Sequence, residues 1–170
     1  MTTSEPQVSL TIPQVWVERR TFLLVEVDRF PYPLFTSMAE DVGAAPGGAY
    51  FVTGCPDQLV RVSLESWRGM PVASPDASWD DVFRVRLQVG RPEVQLHTLM
   101  GEPVGAPLPL VEGASTYVLE ASVRGRHAAA AAYARTPSAG TADRPSWPDG
   151  VERWQIRLWP TSSSTATKSS

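Results

Sequence analysis

The chain has 170 residues, of which 42% are hydrophobic and 19% are charged, and its formal net charge is −3. A chain of this length and apolar content forms one domain with a core and is too apolar to be wholly disordered. No apolar run reaches the roughly 18 residues that a transmembrane helix requires. A general nucleic-acid binder is usually strongly basic, so we expect neither a membrane nor a nucleic-acid partner.

The two ends of the sequence differ from its middle. Residues 1–7 are polar and predicted to be flexible, and residues 161–170 are of low complexity and predicted to be a disordered tail. Residues 8–160 are predicted to form one domain. Because Met1–Thr11 has no basic start followed by an apolar run, it does not resemble a secretory signal. The simplest compartment is a bacterial-type cytoplasm.

The middle of the sequence contains short segments in which apolar and polar residues alternate. In a strand, successive side chains point to opposite faces, so this period of two predicts strands with one buried face. The predicted strands, in chain order, are Val15–Asp28, Ala49–Thr53, Val60–Glu65, Phe83–Val89, Val94–Leu99, Pro107–Val111, Tyr117–Arg124 and Arg153–Leu158.

Three of these segments predict more than a strand. Within Val15–Asp28, the run Phe22–Val25 is apolar on both faces, as in a central or doubly covered strand. Val94–Leu99 follows an Arg91-Pro92 turn, which predicts a hairpin with the preceding strand. The prolines of Pro107–Val111 cannot donate ladder hydrogen bonds, so they predict an edge strand.

The remaining segments are predicted to be loops or a single helix. Phe30–Gly48, Gly69–Ser78 and Arg135–Gly150 are rich in loop-forming residues, and Arg126–Arg135 contains five consecutive alanines, which favour helix. The sequence therefore predicts an all-β, single-domain antiparallel β-sandwich or open barrel. It would have about seven to nine short strands and at most one short helix near residues 126–135.

The motifs of several common enzyme classes are absent from the sequence. It has no G-x-S-x-G elbow, no G-x-x-x-x-G-K-[ST] loop and no G-x-G-x-x-G turn. Cys55 could act as a nucleophile with His97 or His127, but a lone cysteine beside a strand is more often a small buried hydrophobe. Two histidines and one cysteine are too few for an ordinary structural zinc site. We expect no enzyme activity, no metal and no cofactor.

Arginine recurs on the polar faces of several predicted strands. If these strands are neighbours, their arginines form a basic patch that suits an acidic partner surface, since arginine pairs bidentately with carboxylates. The alternative is a solvated face on which Glu65 and Glu120 act as cross-strand counterions. The candidate partner-binding residues are Arg61, Arg84, Arg86, Arg124, Arg153 and Arg157.

Tryptophan offers a second kind of candidate site. The chain has six tryptophans, and Trp67, Trp79 and Trp147 lie in predicted loops or at strand ends. Exposed aromatic rings there could bind a sugar or another small ligand, although tryptophan in a small sandwich is more often core or rim.

Two stretches resemble a known family. Gly150–Pro160, GVERWQIRLWP, is similar to the closing strand of a family of small bacterial all-β proteins of unknown function. Tyr117–Arg126, YVLEASVRGR, is similar to the strand and Arg-Gly-Arg turn that precede it there. That family is distantly similar to competence protein J, the inhibitor of a competence nuclease. The resemblance implies a β-sandwich with a non-enzymatic, protein-binding role.

The sequence therefore favours a non-enzymatic protein-binding module, such as an inhibitor or immunity-type factor. Inhibitors need a shaped surface and no catalytic constellation, which agrees with the absence of enzyme motifs. The partner would be another protein, with an acidic surface if the arginines bind it. The alternative is a small-ligand or carbohydrate-binding sandwich that uses the loop tryptophans.

Overall fold

The computed structural model describes residues 6–29, 35, 37–72, 78–135 and 148–161. These residues form ten strands and one helix. The elements are β1 Val8–Val17, β2 Thr21–Glu26, β3 Val42–Ala45, β4 Gly48–Val52, β5 Gln58–Ser66, β6 Asp81–Val89, β7 Glu93–Thr98, β8 Pro103–Pro109, β9 Ser115–Arg124, α1 Arg126–Ala134 and β10 Arg153–Pro160.

The strands form two five-stranded sheets. The first sheet has the order β1-β5-β10-β9-β6, and the second has the order β3-β4-β2-β7-β8. Neighbouring strands are antiparallel except β10, which runs parallel to β5. The edge strands β1 and β8 lie near each other, as do β3 and β6, but they do not pair, so the barrel is not closed. The predicted all-β class with one short helix is confirmed, with one strand more than the predicted range.

The core lies between the two sheets and follows the predicted alternation. Val60, Val62 and Leu64 of β5 are fully buried on the inner face. Aromatic rings join the sheets at the centre: Phe22 stacks on Phe51 with ring centroids 4.8 Å apart, and Trp154 meets Phe22 edge-on at 5.6 Å. Phe22 and Phe51 belong to the second sheet and Trp154 to the first, so these contacts hold the layers together.

Several predicted positions in the second sheet are confirmed. β2 is its central strand and is buried along its whole length. Leu23 and Val25 point away from the main core and pack with Tyr50 in a second apolar cluster. The proline-rich β8 lies at the edge of this sheet, as the missing N–H groups of its prolines predict.

The predicted hairpin between Phe83–Val89 and Val94–Leu99 is wrong. β7 pairs with β2 and β8 in the second sheet, whereas β6 pairs with β9 in the first. The turn after β6 crosses between the layers, and there the Gly90 N–H donates to Glu26 Oε2 at the end of β2 over 2.7 Å. A turn motif indicates where the chain reverses but not which sheet it enters.

Two further boundaries differ from the prediction. Val15–Asp28 is not one strand, because Arg19 and Arg20 adopt left-handed backbone angles and form the turn between β1 and β2. The predicted loop Phe30–Gly48 contains β3, which forms a hairpin with β4 across Gly47. Neither arginine is a usual turn residue, which explains why the sequence does not indicate the first break.

Candidate functional site

The outer face of the first sheet brings all six predicted arginines together. They lie on four adjacent strands, and each alternates with residues that face the core. The condition for a basic patch, that the strands are neighbours, is therefore met. Five of the six form two groups with different chemistry: an ion-paired part around Glu120 and an unpaired part at the end of the sheet near α1. The sixth, Arg86, is exposed at the opposite end, beside Val118 of β9.

In the ion-paired part, Glu120 of β9 receives two guanidinium groups. Arg84 Nε lies 2.6 Å from Glu120 Oε2, and Arg157 Nε lies 3.1 Å from Oε1. Both arginines occupy cross-strand positions directly opposite Glu120. Burial raises the pKa of Glu120, but the two guanidinium groups outweigh burial and hold this pKa below its usual value.

Glu65, the other predicted counterion, has different partners. Its carboxylate accepts hydrogen bonds from Trp67 Nε1 at 2.9 Å and Gln155 Nε2 at 2.8 Å. Among the described residues it forms no ion pair with arginine. Cross-strand pairing with a counterion therefore describes Arg84 and Arg157 but not the rest of the patch, and of these two only Arg84 is also exposed to solvent.

The Glu120 cluster predicts a pH-dependent stability. A carboxyl whose folded-state pKa is depressed contributes stability above its unfolded pKa, and this contribution is lost as pH falls through the folded pKa. Glu120→Gln should lower the free energy of unfolding at pH 7 by about 3 kcal/mol, since it leaves the nearly buried Arg157 without a countercharge. Urea unfolding at neutral and acid pH measures both effects.

The matched control for this prediction is Glu65→Gln on the same face. We expect Glu65→Gln to lower the free energy of unfolding by less than Glu120→Gln does, because Glu65 neutralises no arginine among the described residues. If wild type and Glu120→Gln lose stability equally as the pH falls, Glu120 is not the source of the pH dependence.

The unpaired part of the patch is a row of three arginines across three adjacent strands. Arg153 of β10 lies directly opposite Arg61 of β5 on one side and Arg124 of β9 on the other. All three are exposed, and none forms an ion pair with the residues that the structure describes. Like charges in directly opposite positions are destabilising. The arginine row, Arg61, Arg124 and Arg153, thus concentrates positive charge that acidic groups of another molecule would stabilise.

A cleft of about 590 Å³ adjoins the arginine row. Arg124, Arg153 and His127 line it, with the Gly150-Val151 turn on one side. Asp80 is also part of the lining, but its Oδ2 accepts hydrogen bonds from the Gly125 and Arg126 N–H groups at 2.7 and 3.1 Å. Asp80 therefore caps the start of α1 and is engaged there.

A buried carboxylate lies next to the arginine row and fixes the start of β10. Glu152, immediately before Arg153, is fully buried. Its oxygens accept hydrogen bonds from the Gly54 N–H at 3.0 Å, Gln58 Nε2 at 2.7 Å and Trp154 Nε1 at 2.9 Å. Burial raises the pKa of Glu152 despite these three donors. The network ties the first residues of β10 to the loop before β5 and so holds Arg153 opposite Arg61.

The three candidate tryptophans are placed differently. Trp67 is only 7% exposed, and its indole nitrogen is bonded to Glu65. Trp79 is half-buried, and Trp147 lies outside the described residues. Trp67 therefore presents almost no ring surface to a ligand.

The candidate nucleophile and its histidines do not have the features of an active site. Cys55 is fully buried, and burial raises the pKa of its thiol, which is opposite to what activation requires. His97 is buried, at 8% exposed, and its Nδ1 lies 3.0 Å from the Gly101 carbonyl oxygen. His127 is exposed in the first turn of α1, with Nε2 3.4 Å from Asp81.

The described residues contain no group of three or more His, Cys, Asp and Glu side chains placed to hold a metal ion. None of the helices in this part of the chain has the length and apolar content needed to cross a membrane.

The fold defines a two-sheet β-sandwich with one short helix and a basic outer face. Among solved structures it is similar to ComJ from Bacillus subtilis, inhibitor of the DNA-degrading activity of NucA, with a TM-score of 0.56 and 11% identity over 94% of this chain and 100% of that one. It is also similar to the protein of crocagin biosynthetic gene J, with a TM-score of 0.50 and 11% identity over 91% and 99% of the two chains. The predicted resemblance to competence protein J is therefore confirmed for the fold.

The sequence comparisons gave no relative. No family model matches the chain, and no curated protein matches it.

Proposed function

We propose that this protein is a non-enzymatic binding module of the inhibitor or immunity type, and that it binds another protein through the outer face of its first sheet. The observation that carries the proposal is the arginine row, in which three exposed like charges lie opposite one another without an acidic partner among the described residues. The similarity of the fold to a nuclease inhibitor supports the same role.

The partner surface that fits this face is acidic. Arginine forms bidentate hydrogen bonds with carboxylates, and three aligned guanidinium groups favour a surface with several of them. An ordinary interface takes roughly 20–30 residues on each side, which the face and its surrounding loops can supply. We propose that the partner is a protein, rather than nucleic acid or a membrane, because the chain as a whole is acidic. We also propose that the two meet in the cytoplasm.

The proposal predicts the behaviour of a charge-reversed variant. Wild-type protein should capture one stoichiometric partner from its native lysate at low salt and lose it at higher salt, because salt screens an electrostatic interface. Arg124→Glu/Arg153→Glu should bind the purified partner at least about tenfold more weakly, or ~1.4 kcal/mol. Mass spectrometry identifies the captured protein, and calorimetry measures its affinity.

The matched control is Arg91→Glu/Arg135→Glu, which changes the net charge equally at two exposed arginines outside the patch. It should bind as wild type does. Equal affinity for all three proteins would remove the arginine row from the proposal. If the captured partner is an enzyme, titrating its activity with this protein tests whether binding inhibits it.

The sugar-binding alternative has less support. It depends on exposed tryptophan rings, and of its three candidates Trp67 is buried. A glycan array read by tryptophan fluorescence would test it, and a response to a defined sugar would favour it over the protein-binding proposal.

A further inference from the structure

The outer face of the first sheet carries a second cleft at the end opposite to the arginine row. Its volume is about 450 Å³, within the roughly 300–1,000 Å³ typical of ligand pockets. Val118 of β9 and Trp159 of β10 line it together with Arg68, Met70 and Arg86. We call this the Met70 groove.

The segment Trp67–Val72 is held across the face and presents apolar side chains there. The Trp67 N–H donates to the Leu158 carbonyl at 2.8 Å, and Arg157 Nη1 donates to the Val72 carbonyl at 3.4 Å. Met70 is nevertheless 64% exposed and Val72 72% exposed. Large apolar side chains left exposed beside a cleft are typical of an interaction site.

The charges around the groove indicate what would occupy it. Arg68 and Arg86 are both exposed, and neither forms an ion pair with the residues that the structure describes. Glu112 is the one acid among the described residues that line the groove. An apolar side chain would suit the Val118 and Trp159 surface, and a neighbouring carboxylate would suit the two guanidinium groups.

We propose that the Met70 groove anchors an apolar side chain of the protein partner, next to an aspartate or glutamate that pairs with Arg68 or Arg86. This inference rests on the proposed function, because the groove and the arginine row share one face. Arg153 and Trp159 are six residues apart on β10, or about 20 Å along the strand. The partner would therefore present acidic groups at one end of its contact segment and an apolar anchor at the other.

The test uses a random-peptide display library selected on the folded, full-length protein. Enriched peptides should carry an apolar residue next to aspartate or glutamate. Met70→Lys and Arg86→Glu should each weaken binding of a synthetic copy of the enriched peptide by about tenfold or more. The control is Met100→Lys, since Met100 is an equally exposed methionine, at 72%, beside the second sheet. It should leave the affinity unchanged.

The outcomes separate this inference from the proposed function. Acidic peptides without an apolar residue, lost in Arg124→Glu/Arg153→Glu but retained in Met70→Lys, would overturn the groove and support the arginine row. Enriched peptides unaffected by every variant, or no enrichment, would also overturn the groove. The partner-capture experiment would then decide the proposed function on its own.

Discussion

Glu152→Ala is expected to lower the free energy of unfolding by about 3 kcal/mol or more. The substitution removes the acceptor of three donors, the Gly54 N–H, Gln58 Nε2 and Trp154 Nε1. A buried donor without a partner costs about 1–3 kcal/mol. Urea unfolding followed by tryptophan fluorescence measures the change.

The contribution of Glu152 to stability changes with pH in the opposite direction to the contribution of Glu120. Because burial raises the folded-state pKa of Glu152, its titration contributes stability below the unfolded pKa, and this is lost as pH rises through the folded pKa. The difference in the free energy of unfolding between wild type and Glu152→Ala should become smaller as the pH rises through the folded-state pKa of Glu152. Glu102→Ala, at an exposed acid, is the control and should be nearly neutral. A Glu152→Ala variant as stable as this control would contradict the structural role of the network.

Gly125→Ala is the second substitution with a large expected effect, on the order of 3 kcal/mol. Gly125 joins β9 to α1 with a φ of 82°, a left-handed conformation that other residues adopt at a cost. A Cβ there would also overlap the Val151 carbonyl oxygen. A Cβ is fixed to its own backbone, and the carbonyl oxygen that it would meet is a backbone atom of Val151. The two segments that line the cleft beside Arg124 would therefore have to move apart.

Substitutions at two other glycines separate the cost of the left-handed backbone from the cost of the steric overlap. Gly150 has a φ of 73° with no atom near its Cβ position, so Gly150→Ala should cost only the conformational term of about 1 kcal/mol. Gly69 has neither constraint, so Gly69→Ala should be close to neutral. Thermal unfolding of the three variants should give this order, and equal losses for Gly125→Ala and Gly150→Ala would show that the overlap is relieved without cost.

The parts of the fold that follow from alternation could be predicted from the sequence. In β5, β6, β9 and β10 every second residue packs in the core, so a period of two is visible in their sequences, and the alanine run predicts α1. The partner of each strand could not be predicted, because pairing depends on contacts distant in sequence. The hydrogen bond from Gly90 to Glu26, at the point where the chain after β6 enters the second sheet, joins residues 64 positions apart.

The candidate site was only partly visible in the sequence. Arginine on the polar face of a strand predicts an exposed side chain, which is correct for Arg61, Arg124 and Arg153 but not for Arg157, which is 9% exposed. The alignment of the first three in one row depends on β10 entering between β5 and β9, which no local pattern specifies. Glu152 resembles a surface acid in sequence, and Met70 lies in a segment that was predicted only as a loop. Their roles depend on what the fold places around them.

The position of β10 also has a consequence for synthesis. β10 is the middle strand of the first sheet, between β5 and β9, yet among the described strands it is the last to leave the ribosome. Until it emerges, β5 and β9 have no neighbour on the sides that β10 later covers, and each exposes a row of unpaired backbone groups. We therefore expect the nascent chain to remain incompletely folded and prone to association until residue 160 has left the ribosome, after which the sheet can close in a single late step.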